Sequence, residues 1–317
     1  MQELVIVGAG PCGLSTAIEA KRKGIAYVVI DKGGVVDAIR RFPTDMTFLS
    51  TTDVVEIGGV PFVSQGDKPT RKEALKYFRK VVMTEALNVR LYTKMVGLKK
   101  EADHFVLTLQ TRNGTEQMIA KRVVLAMGYY DAAKKLGVPG EDLPWVSHYY
   151  SEAHPYFRQN VLVVGAGNSA VEAALDLYRQ GAYVTMMHRG PWVSSGVKPW
   201  VLPDIENRLK KEEIAAIFNA TLQEIRDGEV RYRIGSEEKR LATDFVLLLT
   251  GFEVDYNILN ELGVTILSDG TPYVTEHYET NVANLYLAGV MVAGRNGNKI
   301  FIENGRFHGP KIVESLE

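Results

Sequence analysis

An α/β fold built from two three-layer nucleotide-binding domains is what this 317-residue sequence predicts. Three observations predict it. A glycine-rich octamer, IVGAGPCG, returns later in the chain as VVGAGNSA, so that Gly8, Gly10 and Gly13 match Gly165, Gly167 and Ala170. The match then continues without a gap through a helical run and a second apolar strand. Each unit is also followed by a run of short strands that ends on an apolar segment, VVLAMG at 123–128 and FVLLLTG at 245–251.

Each element follows from local chemistry. Apolar residues precede both octamers, as a buried strand requires. The first two glycines permit a tight turn and close backbone approach, and the third small residue lets helix pack on strand. The runs LSTAIEAKRK and VEAALDLYRQ have helical periodicity, and Gly24 and Gly181 stand where a left-handed residue closes a helix. YVVI and YVTM are the returning strands. The first unit continues into an amphipathic run, KEALKYFRKVVMTEAL at 72–87, then three short strands with an Asn113-Gly114 turn between two of them. The second continues into strands around Asp227-Gly228. A lone G-x-G-x-x-G carries little weight. Strand before, helix after and a second strand beyond make both copies Rossmann-like. Two dinucleotides meeting face to face are what a hydride shuttle needs, and this accounts for the duplication.

Composition narrows the function class. With 37 Lys+Arg against 38 Asp+Glu the net charge is −1, which argues against a dedicated binder of nucleic acid or anionic membrane. Apolar runs such as FVLLL at 245–249 are too short to span a bilayer. The first residues enter a strand at once, without a basic leader, so a cytoplasmic location is expected. A single cysteine, Cys12, excludes an internal disulfide and a Cys-rich metal site.

The residue ending the second strand reads the adenosine ribose. Asp31 there is acidic and suits FAD or NAD, because it accepts from the ribose hydroxyls. The matching position is His188, followed by Arg189, with Lys198 further on. A carboxylate would repel a 2′-phosphate, whereas His-Arg binds one, so the second site is expected to prefer NADPH. Diphosphate contacts fall to the backbone of Gly8, Gly10, Pro11 and Gly13 in one copy and of Gly165, Gly167, Asn168, Ser169 and Ala170 in the other.

Over nearly its full length the chain resembles low-molecular-weight thioredoxin reductases, through VGAGPCG, VVLAMG, VGAGNSAVEAA, MHRG, LLLTGF and TNVANLYLAGVMVAG. The resemblance implies an FAD domain over 1–130 and 254–317, interrupted by an NADPH domain over 131–253. It implies FAD contacts at Lys32, Val96, Gly128, Gly289, Val290, Lys299 and Ile300, with Val290 standing where the family carries an acidic residue beside the ribityl chain. The redox CxxC of those reductases is missing: WVSHYYSEAHPYF at 145–157 holds no cysteine, and Tyr149 and Glu152 fall near the thiol positions. With Cys12 inside GPCG, TTDVVEIGGVPF, KPTR and IFIENGRFHG, the chain is similar to the bacillithiol disulfide reductase family. That similarity implies an NADPH- and FAD-dependent enzyme acting on a low-molecular-weight thiol disulfide, and a homo-oligomer (dimer or tetramer).

Disulfide reduction is easiest through a thiolate. Cys12 sits at a helix start, where the macrodipole should lower its pKa. Alternatively, it only fills the turn between Pro11 and Gly13. Glu303, His308, Tyr149 and Glu152 are candidate proton donors, and Arg71, Lys299 and Arg306 candidate cations for substrate carboxylates. Ferredoxin–NADP reductases share the layout and also lack CxxC. Flavin monooxygenases share the paired fingerprints, but neither His148 nor His154 stands in their FxGxxxHxxxY/F signature. A non-catalytic FAD-bound sensor is the remaining alternative.

Overall fold

The computed structural model describes residues 1–254, 256–294 and 299–316. The chain forms two compact units, Met1–Ala132 with Glu253–Glu317 and Ala133–Phe252.

The first unit opens with β1 (Gln2–Val7), α1 (Pro11–Arg22) and β2 (Tyr27–Ile30). Short helices α2 (Asp37–Arg40) and α3 (Thr52–Val55) lead to α4 (Arg71–Thr84). Strands β3 (Val89–Arg90), β4 (Lys94–Glu101), β5 (His104–Thr111) and β6 (Gly114–Leu125) follow. Helix α4 begins with a capping box: Glu73 N–H donates to Thr70 Oγ1 at 3.2 Å and Thr70 N–H to Glu73 Oε2 at 2.8 Å. The expected third meander strand and the VVL closure are one strand. β6 runs antiparallel to β5 through residues 114–120 and then parallel to β1 through 120–125.

The second unit contains β7 (Val146–Ser147), β8 (Asn160–Val164), α5 (Asn168–Arg179), β9 (Tyr183–Met187), α6 (Leu202–Lys210) and β10 (Ala215–Ile217). Then come β11 (Ala220–Arg226), β12 (Glu229–Ile234), β13 (Glu237–Ala242) and β14 (Phe245–Leu248). Here the meander β11-β12-β13 is a separate three-stranded sheet, and the parallel sheet runs β10-β9-β8-β14-β7. The chain returns to the first unit with α7 (Asn257–Glu261), β15 (Leu285–Leu287), α8 (Ile302–Gly305) and α9 (His308–Glu314). β15 pairs with β6 beyond the point where β5 leaves it, and completes the sheet β3-β2-β1-β6-β5-β4.

The central parallel strands of both sheets, β1, β2, β8 and β14, are buried on two faces, which is why they read as apolar runs. In β1, Leu4 and Ile6 join the cluster under α1, α4 and α9, while Val5 and Val7 join the cluster under the meander. In β8, Val161 and Val163 face α5 and α6, whereas Leu162 and Val164 face β11–β13. Helix, sheet and meander thus form three layers in each unit. The two helix ends also repeat. Gly24 and Gly181 have φ of 69° and 86°. Ile25 N–H donates to Ala20 O at 2.9 Å and Ala182 N–H to Leu177 O at 3.0 Å, closing the same left-handed cap twice.

Candidate active site

The two fingerprint turns are built alike. Gly8 N–H donates to Ile30 O at 2.8 Å, and Gly165 N–H to Met187 O at 2.9 Å. Both glycines have positive φ, 116° and 138°, and both press on a neighbouring strand: a Cβ on Gly8 would fall 2.3 Å from Ala126 O, and one on Gly165 would fall 2.4 Å from Leu249 O. Any side chain there is excluded by backbone. A Cβ is excluded at Gly13 too, where Gly8 O would lie 1.9 Å away, whereas the matching position of the second unit carries Ala170. Gly10 and Gly167 differ. Nothing lies within 4 Å of either Cβ position, and neither α1 nor α5 has a side-chain cap. Each unit therefore presents open space over uncapped first-turn N–H groups at the positive end of a helix. This arrangement fits a dinucleotide diphosphate.

Asp31 directly follows β2 beside this opening. Its Oδ2 accepts from Ala9 N–H at 2.7 Å and its Oδ1 from Gly33 N–H at 2.8 Å. Burial pushes its pKa above the usual carboxylate value, and the two backbone donors partly oppose this. The carboxylate braces the fingerprint turn and keeps further lone pairs able to accept hydrogen bonds. Lys32 is paired with Asp131, which also pairs with Arg41. Sequence reading missed this Asp131 network, because nothing in the spacing joins residue 131 to residues 32 and 41. Val96 is half exposed at a bulge in β4, where the register with β5 shifts between Met95 and Gly97. Gly128 has φ of 74° and open space above it. Gly289 and Val290 belong to a single 3₁₀ turn, Gly289–Val292. Lys299 is exposed, and its carbonyl accepts from Asn304 Nδ2 at 2.8 Å. Ile300 Cγ2 packs towards Gly305.

In the second unit Asn168 does not turn its side chain to the opening. It donates to Gly196 O at 3.1 Å and accepts from Lys198 N–H at 2.9 Å, which clamps the 196–198 loop. Ser169 is exposed. His188 lies against Gly190, and burial, with Arg189 beside it, lowers its pKa. Arg189 is exposed. Lys198 is paired with Glu172. Lys198, which the sequence places near the cofactor site, thus already has an anionic partner.

Cys12 occupies the second position of α1. Its expected low pKa is overturned: burial pushes the thiol up to about 12. Although the residue keeps some exposed surface, Sγ is packed against two glycines. A Cβ on Gly289 would fall 3.0 Å from Sγ, and one on Gly305 would fall 2.8 Å from it. Desolvation of the thiolate outweighs the helix dipole, whose effect on a nearby charge is about 0.3–1 kcal/mol. Of these two glycines, Gly289 lies in LYLAG and Gly305 in ENGRFHG, and only the fold brings them to Cys12.

The other candidate cations and proton donors are placed as follows. Arg71 donates through Nε to Ile39 O at 3.2 Å and also to Arg40 O. Arg306 donates to Asp53 O at 2.8 Å and Glu56 O at 2.7 Å. Arg71 thus ties α4 to α2 and Arg306 ties the end of α8 to α3, so both cations have backbone partners instead of standing free for a substrate carboxylate. His308 is 4 % exposed, and burial lowers its pKa to about 4, so the imidazole is neutral and a poor general acid near pH 7. Glu303 accepts from Ser50 Oγ. Tyr149 packs on Phe252 with ring centroids 5.7 Å apart, and Glu152 is exposed. The described residues contain no cluster of metal ligands and no helix long and apolar enough to cross a membrane.

Residues 5–289 match the family described as pyridine nucleotide-disulphide oxidoreductase. The chain belongs to that family. Within it, the reductase is 41% identical over 318 residues to the bacilliredoxin reductase Bdr of Bacillus subtilis (strain 168), covering 99% of this chain and 97% of the relative. The solved structure of the bacillithiol disulfide reductase Bdr (YpdA) from Bacillus cereus superposes with a TM-score of 0.97 at 41% identity, over 99% of this chain and 98% of that one. A thioredoxin reductase from T. acidophilum superposes with a TM-score of 0.77 at 24% identity, over 99% and 97%, and shares the fold alone. This oxidoreductase is of the bacillithiol disulfide reductase branch, with the thioredoxin-reductase-like fold and without its dithiol.

Proposed function

We propose that the protein is an NADPH-dependent FAD enzyme that reduces bacillithiol disulfide, a low-molecular-weight disulfide, in the cytoplasm as a homo-oligomer. The observation that carries this reading is near-complete coverage, at 41% and 42% identity, by two solved structures named for bacillithiol disulfide reduction, in a chain whose two units each keep an open fingerprint cradle. FAD belongs to the first unit, held at Gly10, Pro11 and the α1 N-terminus, with Asp31 towards the ribose and Lys32, Val96, Gly128, Gly289, Val290, Lys299 and Ile300 around it. NADPH belongs to the second, at Gly167, Asn168, Ser169 and the α5 N-terminus. Bound FAD would supply the two electrons, taken from NADPH, that a disulfide needs. His188 and Arg189 select the 2′-phosphate, and Lys198 joins them only by leaving Glu172.

Cys12 is the single cysteine and is proposed as the group that receives the disulfide. Having lost its proton, Cys12 Sγ would attack one sulfur, form a mixed disulfide and release one thiolate product; the two electrons and two protons would then free the second thiol and restore the Cys12 thiol. Because burial holds the thiol neutral, attack depends on the small thiolate fraction. The disulfide-dependent rate should therefore rise with pH, up to about tenfold per unit between about pH 7 and pH 9. Stopped-flow reoxidation of the reduced enzyme by bacillithiol disulfide tests this. Cys12→Ala should keep FAD and its reduction by NADPH while losing that reoxidation. A flat pH profile together with an active Cys12→Ala protein would remove Cys12 from the chemistry. Failure of any low-molecular-weight disulfide to oxidise the enzyme would remove the substrate reading.

A further inference from the structure

The C-terminal segment carries a buried histidine that the chemistry above does not use. His308 is the first residue of α9, and its Nδ1 accepts from Gly289 N–H at 3.1 Å. Its ring stacks on Tyr278 at 4.1 Å between centroids, with the planes 19° apart. Burial keeps the imidazole neutral, so Nδ1 is free to accept and the ring proton sits on Nε2. Gly289 is a demanding partner. Its φ is 66°, in the left-handed region, and its Cα faces Cys12 Sγ. The N–H that His308 receives is the first of the 3₁₀ turn Gly289–Val292, whose start has no other side-chain cap.

The surroundings leave His308 little freedom. Ser15 Oγ donates to Arg306 O at 2.6 Å, two residues before it. A Cβ on Gly309, the next residue, would fall 2.5 Å from Thr16 N, so α9 lies directly against α1. The imidazole is therefore held between a fixed helix and a stacked phenol ring, with its acceptor aimed at one backbone N–H.

We propose that His308 is a positioning residue for the flavin site: it caps Gly289 and thereby sets the left-handed turn against which Cys12 and the bound flavin pack. The proposal rests on the reading of the first unit as the FAD unit. A neutral histidine suits this role where a lysine or carboxylate does not, because it accepts in a dry site without bringing a charge. Tyr278 supplies orientation and His308 the lone pair.

Two variants separate the acceptor from the ring. His308→Phe keeps a stacking surface on Tyr278 and leaves Gly289 N–H buried without a partner. His308→Asn places an amide oxygen near the position of Nδ1. Hydrogen–deuterium exchange at Gly289 is read in flavin-stripped protein, and FAD affinity and the visible flavin spectrum are read after reconstitution. His308→Phe should speed Gly289 exchange and weaken FAD by about tenfold each, with a shifted flavin band, since an orphaned buried donor loses its hydrogen bond. His308→Asn should return all three to within about threefold of wild type. Unchanged Gly289 exchange in His308→Phe overturns the capping contact. Faster exchange with unaltered FAD affinity and spectrum overturns the link to the flavin. A wild-type protein that binds no FAD overturns the reading of the unit, while the exchange result still decides whether His308 holds the turn.

Discussion

At the scale of single residues, the site is governed by what burial does to groups whose types were legible from the start. Gly8 and Gly10 look equivalent in the fingerprint, yet one is closed by Ala126 O and the other faces open space. Gly8→Ala should cost more than about 3 kcal/mol, since it combines a strained φ with a backbone clash, and should lower the melting temperature sharply. Gly10→Ala should leave the melting temperature of the flavin-free protein within about 2 °C of wild type and reduce FAD affinity instead. Equal melting temperatures for the two variants would mean that the close approach at Gly8 is not limiting. Arg189 is exposed, so its contribution should appear only on ligand binding. Arg189→Ala should weaken NADPH by roughly 10- to 150-fold, the loss of a charged contact of about 1.5–3 kcal/mol, and change NADH little. Stopped-flow flavin reduction with both nucleotides measures this, and equal losses would take Arg189 away from the 2′-phosphate. His308 gives a pH dependence of known sign. Its folded pKa, about 4, lies below the ordinary 6.5, so the unfolded chain takes up the proton first as pH falls. Stability should decline from about pH 6.5 to pH 4 and level off below, by up to about 3 kcal/mol. Urea unfolding at several pH values should show this decline in wild type and a shallower one in His308→Asn; parallel profiles would mean that the imidazole is not held neutral by the fold.

At the scale of elements, the βαβ units were readable because each signal is local. Apolar strands, glycine turns, helical periodicity and a closing glycine all act within a few residues, and both copies agree. Helix α4 is a clear case: the amphipathic run at 72–87 announces it, and the structure adds a capping box between Thr70 and Glu73 at its start. Thr70→Ala should cost about 1 kcal/mol, and a Glu73→Ala change made with it should add less than its separate cost, because both act on one cap. Thermal unfolding of the two single variants and the double variant tests this, and full additivity would show two independent contributions. What local reading did not deliver was continuity. β6 spans what looked like two strands, since nothing in the segment 118–123 says whether the backbone bends. In the second unit Thr243 and Asp244 do interrupt the chain, between β13 and β14, and the meander becomes a separate sheet.

At the scale of the whole molecule, the second unit is one continuous stretch and the first is not. The helix-side core of the first unit includes Ile312, Val313 and Leu316 packed with Leu14 and Ile18, and its meander side includes Leu285 and Leu287. A fragment of residues 133–252 should therefore unfold cooperatively by itself, whereas residues 1–132 without 253–317 should not, because they would expose an apolar sheet edge and helix face. Circular dichroism melts of the two fragments check this, and a cooperative transition in the N-terminal fragment alone would count against it. The sequence by itself determined the repeat, the two nucleotide-binding units and the residue types at both ribose positions, because these depend on backbone conformation and charge within short windows. Tertiary structure alone decided that Arg71 and Arg306 are consumed by carbonyls, that Lys198 is paired with Glu172, and that Cys12 is pressed against Gly289 and Gly305 with a raised pKa. The physical reason is the same in each case. Hydrogen-bond partners and desolvation come from segments distant in the chain, and a side chain's charge and reactivity depend on those neighbours as much as on its own chemistry.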